Sequence, residues 1–301
     1  MKKKTQKKKA QKAKKQDVYQ AVTDRIIAAL EAGTAPWRKP WSGSGTEGLP
    51  RNFKTGKTYR GINPFLLAMS GYESPYWLTF RQAEEKDGSV RKGEKGSPVV
   101  YWNWIYKDAS GKSVQSPEEA SERIPFLRKY TVFNEAQIDG IDFPASDVPE
   151  RDHQPIAAAE KIVEGMPSKP VLEFSGHRAC YSPALDLVRM PRPEAFSGDA
   201  EYYSTLFHEL VHSTGHESRL ARGVEEIAAF GSGDYSREEL VAEMGAAFLA
   251  GHAGIVNHTI DNSAAYLQGW IATLKGDSKL AVKAAGAAQK AADYILNVTW
   301  D

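Results

Sequence analysis

Two histidines and a glutamate near the middle of the chain have the spacing of a metal-dependent hydrolase. Segment 203–216 reads YSTLFHELVHSTGH and contains His208, Glu209 and His212. On a helix, residues four apart lie on one face, so both imidazoles can bind the same ion. Glu209 is turned off that axis and is suited to proton transfer rather than ligation. The motif therefore predicts a metal site with Glu209 as the general base.

The residues around this motif argue against a surface helix that merely carries two histidines. Such a helix would have polar neighbours, but here the neighbours are the apolar residues Leu206, Phe207, Leu210 and Val211. Imidazoles and a carboxylate in an apolar helix need a partner for their polarity, and a metal ion is one.

The next helical segment is expected to supply the third ligand, because a catalytic zinc has three protein ligands and one open position. Segment 236–251 (SREELVAEMGAAFLAG) contains Glu239 and Glu243 one turn apart, beside small residues that let helices approach closely. We assign Glu239 as the ligand and Glu243 as the acceptor that orients a ligand histidine, and the reverse assignment stays open. Glu238 is assigned to the solvent side and His216 to a loop.

Peptide-bond hydrolysis is the reaction that such a site suits. Zinc lowers the pKa of a bound water to about 7 and polarises a carbonyl, while the general base passes a proton to the leaving amine. Zn²⁺ is the expected ion, with Mn²⁺ as an alternative. Segment 179–191 (ACYSPALDLVRMP) is expected to be a strand that pairs with an extended peptide. Tyr181 and Tyr235 are candidate oxyanion donors, although either could simply be a buried tyrosine.

The elements that must position these residues indicate an α+β fold with two domains. Composition is that of a globular protein, with 41% hydrophobic and 26% charged residues in 301. The aperiodic, proline-containing segment 141–154 is the best linker, so we predict domains at 17–151 and 152–301. Apolar periodicity predicts a first helix capped by Asp17 and stopped by Gly33, and later helices at about 199–214, 236–252, 260–275 and 279–297.

The first predicted domain is rich in aromatic and basic residues. Residues 35–104 hold five of the seven tryptophans and 11 basic against 6 acidic residues. Rings stack unpaired bases at about 1–3 kcal/mol each and cations follow the backbone, so the pattern indicates single-stranded DNA binding. Trp37 and Trp41, with Arg38 and Lys39 between them, are the surface candidates. Trp102 and Trp104 share one side of a predicted strand, and a position in the hydrophobic core is at least as compatible with the sequence as a binding role.

The chain begins with a lysine-rich arm. Residues 1–16 contain nine lysines and no acidic residue, which predicts disorder. The arm is either an electrostatic tether for nucleic acid or a solubility tail. The single cysteine, Cys180, excludes an intramolecular disulfide, and no apolar run reaches the roughly 20 residues of a membrane span. We therefore expect a cytoplasmic protein without a membrane partner.

Taken in order, the motifs resemble one protein family. DRIIAALEAGTAPWRKPW, PRNFKTGKTYRGIN, YWLTFRQA and VRKGEKGSPVVYW resemble the N-terminal domain of ArdC-type plasmid antirestriction proteins. FHELVHSTGHESRL and YSREELVAEMGAAFLAG resemble the zincin-like metallopeptidase domain of the same family. The similarity runs from residue 17 to the end, and the lysine arm departs from it.

The resemblance implies a single-stranded-DNA-binding domain, a metal-dependent domain, and protection of incoming plasmid DNA from host restriction. By position it supports His208, His212 and a glutamate of EELVAE as ligands and Glu209 as catalytic. It also implies a set of DNA contacts: Arg51, Asn52, Lys57, Tyr59, Arg60 and Asn63. Two alternatives stay open: an active DNA-directed metallopeptidase that cleaves a partner such as a host restriction protein, or a DNA-coating protein whose metal domain is structural or vestigial.

Overall fold

The computed structural model describes most of the 301-residue chain, namely residues 17–37, 49–144, 155–224, 233–255 and 264–299. The lysine arm at 1–16 and the predicted boundary near residue 152 lie outside these ranges. The predicted DNA contacts Arg38, Lys39 and Trp41 lie outside them as well. Among the helices described, none combines the length and the apolar composition needed to cross a bilayer.

Helix α1 (Val18–Glu31) opens the described chain, and its ends follow the sequence prediction. The Asp17 side chain accepts a hydrogen bond from the Tyr19 amide at 3.0 Å, which caps one of the unpaired first-turn donors. Gly33, with a φ of 85°, follows the helix end, where a left-handed residue is favourable. The apolar stripe of α1 is buried.

The first half of the chain is built around a five-stranded sheet in the order β1-β2-β6-β4-β5. Its strands and two short helices are β1 (Arg51–Asn52), α2 (Asn63–Ala68), β2 (Tyr76–Leu78), α3 (Phe80–Glu84), β4 (Ser97–Lys107), β5 (Ser113–Val114) and β6 (Glu122–Asn134). A separate pair joins β3 (Ser89–Val90) to β7 (Ile138–Asp139). The strand predicted at SPVVYWNWIY is confirmed as β4, which pairs with β6 antiparallel along its whole length.

The second half combines a small sheet with five helices. Its elements are α4 (Pro155–Gly165), β8 (Val171–Phe174), β9 (Cys180–Ser182), β10 (Leu187–Met190), α5 (Asp199–Ser213), α6 (Gly233–Ala253), α7 (Ala264–Gly276) and α8 (Leu280–Ile295). The four later helices confirm the sequence prediction to within a few residues. The α+β class is confirmed as well.

Segment 179–191, predicted as one strand, forms two strands instead, and that prediction is wrong. A turn that contains Pro183 and ends at Asp186, which has a φ of 45°, separates β9 from β10. The two strands pair antiparallel, while β10 pairs parallel with β8. The sheet order is therefore β8-β10-β9, with β9 at one edge.

Helix α6 lies at the centre of the second half, and its approach to α5 sets the geometry of the metal site. Every residue from Leu240 to Ala250 is buried. A Cβ atom added to Gly245 would lie 2.7 Å from Val211 Cγ2 on α5, which is closer than side chains pack. Only glycine therefore allows the two helices to lie this close at that level.

The two halves share one hydrophobic core. Trp37 is 0% exposed and packs edge-on against Trp270 of α7, with ring centroids 6.2 Å apart. Phe65 of α2 similarly lies 4.9 Å from Phe248 of α6. The prediction of Trp37 as a surface DNA contact is thus wrong, because the indole fills the junction between the halves.

Candidate metal centre

The two histidines of the motif lie side by side on α5, as their spacing predicts. The His208 and His212 Nε2 atoms are 3.1 Å apart and the ring centroids are 4.8 Å apart. Both rings are largely shielded from solvent by the surrounding residues of the helix pair. One helical face therefore presents two imidazole nitrogens to a common point.

Glu239 of α6 faces both rings. Its Oε2 atom lies 3.5 Å from His208 Nε2, and its Oε1 atom lies 3.5 Å from His212 Nε2. One ligand atom from each of the three residues lies within 4.8 Å of the others. Two imidazoles and a carboxylate are the donor set of a catalytic zinc site, so these residues fit a divalent ion. The ligand role of Glu239 stays a prediction, and the geometry favours it over Glu243.

The electrostatics of the cluster favour positive charge at this point. Burial alone would lower the pKa of His212, but hydrogen bonds with Glu238 and Glu239 outweigh it and raise the pKa to about 10. Burial likewise opposes the charged form of Glu239, yet hydrogen bonds with His208 and His212 hold the pKa of that carboxyl well below its usual range. Acidic side chains thus surround the two rings on several sides.

Glu238, predicted to face solvent, is buried beside His212, and that prediction is wrong. It is 8% exposed, and its Oε1 atom lies 3.4 Å from His212 Nδ1. Arg222 donates to Glu238 Oε2 at 3.1 Å and to the Val211 carbonyl at 2.8 Å. Arg222, in the described segment that follows α5, thus covers this face of α6, which helical periodicity alone does not reveal.

Glu238 is thus the carboxylate that lies against the second ring nitrogen of His212, and the acceptor role predicted for Glu243 stays a prediction. Glu243 is also buried, but it lies against Tyr266 of α7, and burial raises the pKa of its carboxyl. The charge of His208 acts in the opposite direction and lowers the pKa of the Glu243 carboxyl. The sequence signal that could have identified Glu238 is the arginine at position 222, since a buried cation needs an anionic partner.

Four further residues considered for the site have distinct surroundings. Glu209 is buried within the motif helix, next to the rings. Tyr235 lies against Glu239, and burial together with this carboxylate raises the pKa of its hydroxyl to about 12. Tyr181 instead donates to Asp186 Oδ1 at 2.9 Å, which makes it part of the β9–β10 turn. His216 lies in a loop, as predicted, and its Nδ1 atom forms a hydrogen bond with the Ser218 hydroxyl.

Three DNA contacts implied by the family resemblance are buried, and for these the prediction is wrong. Asn63 is 5% exposed; its side-chain amide donates to the Val100 carbonyl at 2.8 Å and accepts from the Val100 backbone amide at 2.7 Å. Asn52 accepts from the Thr55 amide at 3.0 Å and so closes a turn. Tyr59 is buried in the small core beneath the sheet. The two asparagine side chains hold the backbone in place, and the Tyr59 ring packs in the core.

The remaining implied contacts differ in their exposure. Arg60 forms an ion pair with Asp293 of α8 and so joins the two halves. Arg51 is half-buried and Lys57 is exposed, and both stay predicted DNA contacts. Sequence reasoning left Trp102 and Trp104 open between core and surface, and they are 49% and 47% exposed.

Comparisons with known proteins match the two parts of the chain to two different family models. Residues 16–133 match the N-terminal domain of the anti-restriction factor ArdC, and residues 157–287 match the zincin-like metallopeptidase family, whose fold implies a divalent metal. Two Escherichia coli proteins named DNA primase TraC are each 36% identical over 94% of this chain. This chain spans only 20% and 27% of their lengths. An uncharacterized protein of Sinorhizobium fredii, y4eC, is 34% identical over 93% of this chain and 91% of its own.

Two crystal structures of the antirestriction protein ArdC from plasmid R388 are similar over nearly the whole chain. The metal-free and the Mn(II)-bound structures each have a TM-score of 0.71 and 41% identity, and each match covers 93% of this chain. The matches cover 96% and 97% of those chains. With this identity, coverage and shared fold, the chain belongs to the ArdC antirestriction protein family.

Proposed function

We propose that this protein binds single-stranded DNA and protects incoming plasmid DNA from host restriction in the cytoplasm. In this proposal residues 17–151 bind the DNA and residues 152–301 form a metal-dependent peptide hydrolase that acts on a protein such as a host restriction subunit. The observation that carries the proposal is the convergence of Glu239 on His208 and His212, with Glu209 beside them, in a chain of the antirestriction family.

His208, His212 and Glu239 are the residues that would hold the ion. Zn²⁺ is the ion that two imidazoles and a carboxylate favour, and Mn²⁺ is the alternative, being bound by a related ArdC. A bound divalent ion supplies Lewis acidity towards the peptide carbonyl and towards water.

The chain's own residues carry the remaining tasks of hydrolysis. Glu209 takes a proton from the attacking water and delivers it to the leaving amine. Glu238 keeps the His212 ring oriented through Nδ1. Tyr235, beside Glu239, donates to the oxygen on which negative charge develops. Strand β9, at the edge of its sheet and packed near α5, pairs with the extended substrate backbone.

The experiment compares Glu209→Gln with the parent protein. We expect the variant to lose about 10²- to 10⁴-fold in hydrolysis of the host restriction protein, the general-base contribution, and to lose protection of conjugated DNA. Zinc content and single-strand binding should be unchanged. Glu164→Gln, an exposed carboxylate on α4, is the matched control. Protection that survives in Glu209→Gln would refute the hydrolase part of the proposal.

The second candidate function is protection by coating the DNA, with the metal domain as a scaffold. The half-exposed Trp102 and Trp104 favour it, because they offer a surface for unpaired bases. Under this alternative, protection would follow DNA affinity and would not respond to chelators. Failure of the parent protein to protect DNA at all would refute both candidates.

A further inference from the structure

The β4–β6 pair carries a row of aromatic side chains that extends beyond the core. Residues 101–105 of β4 are all exposed. Alternate residues of a strand point to the same side, so Trp102, Trp104 and Tyr106 share one face. The register puts Arg123 opposite Tyr106 and Lys129 opposite Val100, so both cations lie on that face. We call this surface the ribbon face.

Exposed indole rings forgo free energy of folding, because burial of an indole stabilises the folded protein. The same chain buries Trp37 and Trp77 almost completely. Adjacent exposed aromatics mark a surface that a ligand covers. The ribbon face therefore needs an occupant with flat apolar surfaces.

The dimensions of the ribbon face match unpaired bases. Residues two apart on a strand are separated by about 7 Å. This is about twice the 3.4 Å separation of stacked bases, so a base fits between successive rings. Stacking on an aromatic ring is open to any base, because every base has a π face, whereas a duplex hides those faces.

Cations flank both ends of the ring row. At one end the Arg123 guanidinium lies 5.9 Å from the centre of the Tyr106 ring. At the other end Trp102 packs edge-on against Tyr19 of α1 at 5.9 Å, and Lys279 Nζ lies 5.6 Å over Tyr19. A phosphate backbone that follows the rings would thus pass the Arg123 cation at one end and the Lys279 cation at the other.

The lysine arm is joined covalently to the chain close to Tyr19. Its nine lysines in residues 1–16 are joined to the described chain at Asp17, two residues before Tyr19. The segment that directly precedes α1 therefore carries the densest positive charge of the sequence. This concentration of positive charge favours an anionic ligand over an uncharged or basic protein.

We propose that the ribbon face is the platform for single-stranded DNA, with bases stacked on Trp102 and Trp104 and the backbone following Arg123, Lys129 and Lys279. This inference rests on the proposed single-strand binding and specifies where it occurs. It assigns the contact to residues outside the 51–63 motif that the family resemblance implies.

The test is binding of a labelled oligothymidylate to the full chain, measured by fluorescence anisotropy over a range of salt concentrations. We expect Trp102→Ala with Trp104→Ala to weaken binding by about 5- to 150-fold per ring, with the salt slope unchanged. Arg123→Ala with Lys129→Ala should instead lower the slope by about 0.7 per cation. Phe174→Ala, a ring 48% exposed on β8 in the other half, is the matched control and should bind like the parent.

Conservative replacements separate stacking from stability. Trp102→Tyr with Trp104→Tyr keeps flat rings and should retain most of the affinity. Loss of affinity in the tyrosine variant equal to that in the alanine variant would overturn the stacking role. Binding by the alanine variant as tight as by Phe174→Ala would overturn the ribbon face as the site. If the parent protein itself fails to bind the oligonucleotide, the proposed function fails, which is a separate result.

Discussion

His212 presents its two ring nitrogens to different partners. Nε2 lies towards Glu239 and His208, while Nδ1 lies 3.4 Å from Glu238. A carboxylate on the second nitrogen sets the tautomer and holds the ring plane, which increases the basicity of the nitrogen that faces the ion. Arg222 in turn holds Glu238, so the orientation of the ring depends on a loop residue.

Glu238 is therefore a positioning residue whose removal should be measurable as metal affinity. We expect Glu238→Ala to weaken zinc binding by about 10- to 100-fold, because His212 loses its oriented partner. Glu238→Gln keeps an acceptor and should recover most of the loss. Competition with a chromophoric chelator measures both variants, and Glu164→Ala on the exposed face of α4 is the control. Equal zinc affinity in Glu238→Ala and Glu164→Ala would contradict this role.

Local sequence patterns were sufficient to predict which site residues lie together on the helices. They were insufficient to predict contacts made by residues outside the helices. The spacing of His208 and His212 predicts their common face, and small residues on the next helix indicate Glu239 beside them. The role of Glu238 depends on Arg222, which lies in the described segment after α5 and contacts Glu238 across the two helices. Trp37 shows the same limit, because flanking cations do not reveal that Trp270 covers the indole.

At the scale of elements, the distance between α5 and α6 determines whether three ligands can meet. Gly245 lies against Val211, one residue from His212, and an added Cβ would lie 2.7 and 2.8 Å from the two Val211 methyl groups. Val211 is fully buried and branched at Cβ, so it has little room to move. The small residue is therefore a requirement of the metal site as well as of the core.

Gly245→Ala should destabilise the protein and weaken its metal site together. Overpacking costs about 1–3 kcal/mol, and the better helix propensity of alanine offsets about 0.5–1 kcal/mol of this. Gly286→Ala is the matched control. This glycine lies inside α8, and among the described residues no atom beyond its own stretch of helix lies within 4 Å of the position that an added Cβ would take, so we expect a gain in stability.

Denaturant unfolding with and without zinc measures both glycine variants. We expect the Gly245 variant to lose part of the stabilisation that zinc confers, because a ligand that binds the folded state more weakly stabilises it less. A Gly245 variant as stable as the Gly286 variant, with full zinc stabilisation, would contradict the requirement for close helix approach.

The small sheet also shows what strand patterns leave undetermined. Alternation in ACYSPALDLVRMP is compatible with one strand, but Asp186 takes a left-handed conformation and is held by Tyr181 and Arg219. Proline followed by aspartate three residues later is a turn signal that could have divided the segment. The consequence is functional, because the turn leaves β9 as an edge strand beside α5.

At the scale of the whole molecule, the two halves are packed as one body across a shared core. Helix α1 packs on α7, Phe65 packs on Phe248, and Arg60 pairs with Asp293. The apolar stripe of α1 was predictable from its periodicity, but periodicity does not identify the surface that the stripe covers. The ribbon face and the metal site therefore belong to one scaffold, and a variant in either must be tested in the full chain.

The lysine arm provides the last prediction, which concerns long-range charge. Residues 1–16 contribute nine positive charges and no acidic residue, whereas the rest of the chain has 30 basic and 38 acidic residues. Without the arm, an acidic body would repel a polyanion. We expect removal of residues 2–16 to weaken binding of oligothymidylate at low salt and to lower the slope of log affinity against log salt by about 0.7 for each lysine that contacts a phosphate.

A second variant, in which all nine arm lysines are replaced by glutamine, separates the effect of charge on DNA binding from the effect of chain length. If the arm acts as a tether, this variant should behave like the deletion, and both should approach the parent protein at high salt, where counterion release no longer favours binding. Stacking on Trp102 and Trp104 does not depend on salt, so it should persist in both variants. An unchanged salt slope in the glutamine variant would identify the arm as a solubility tail, because a tether that neutralises phosphates must release counterions.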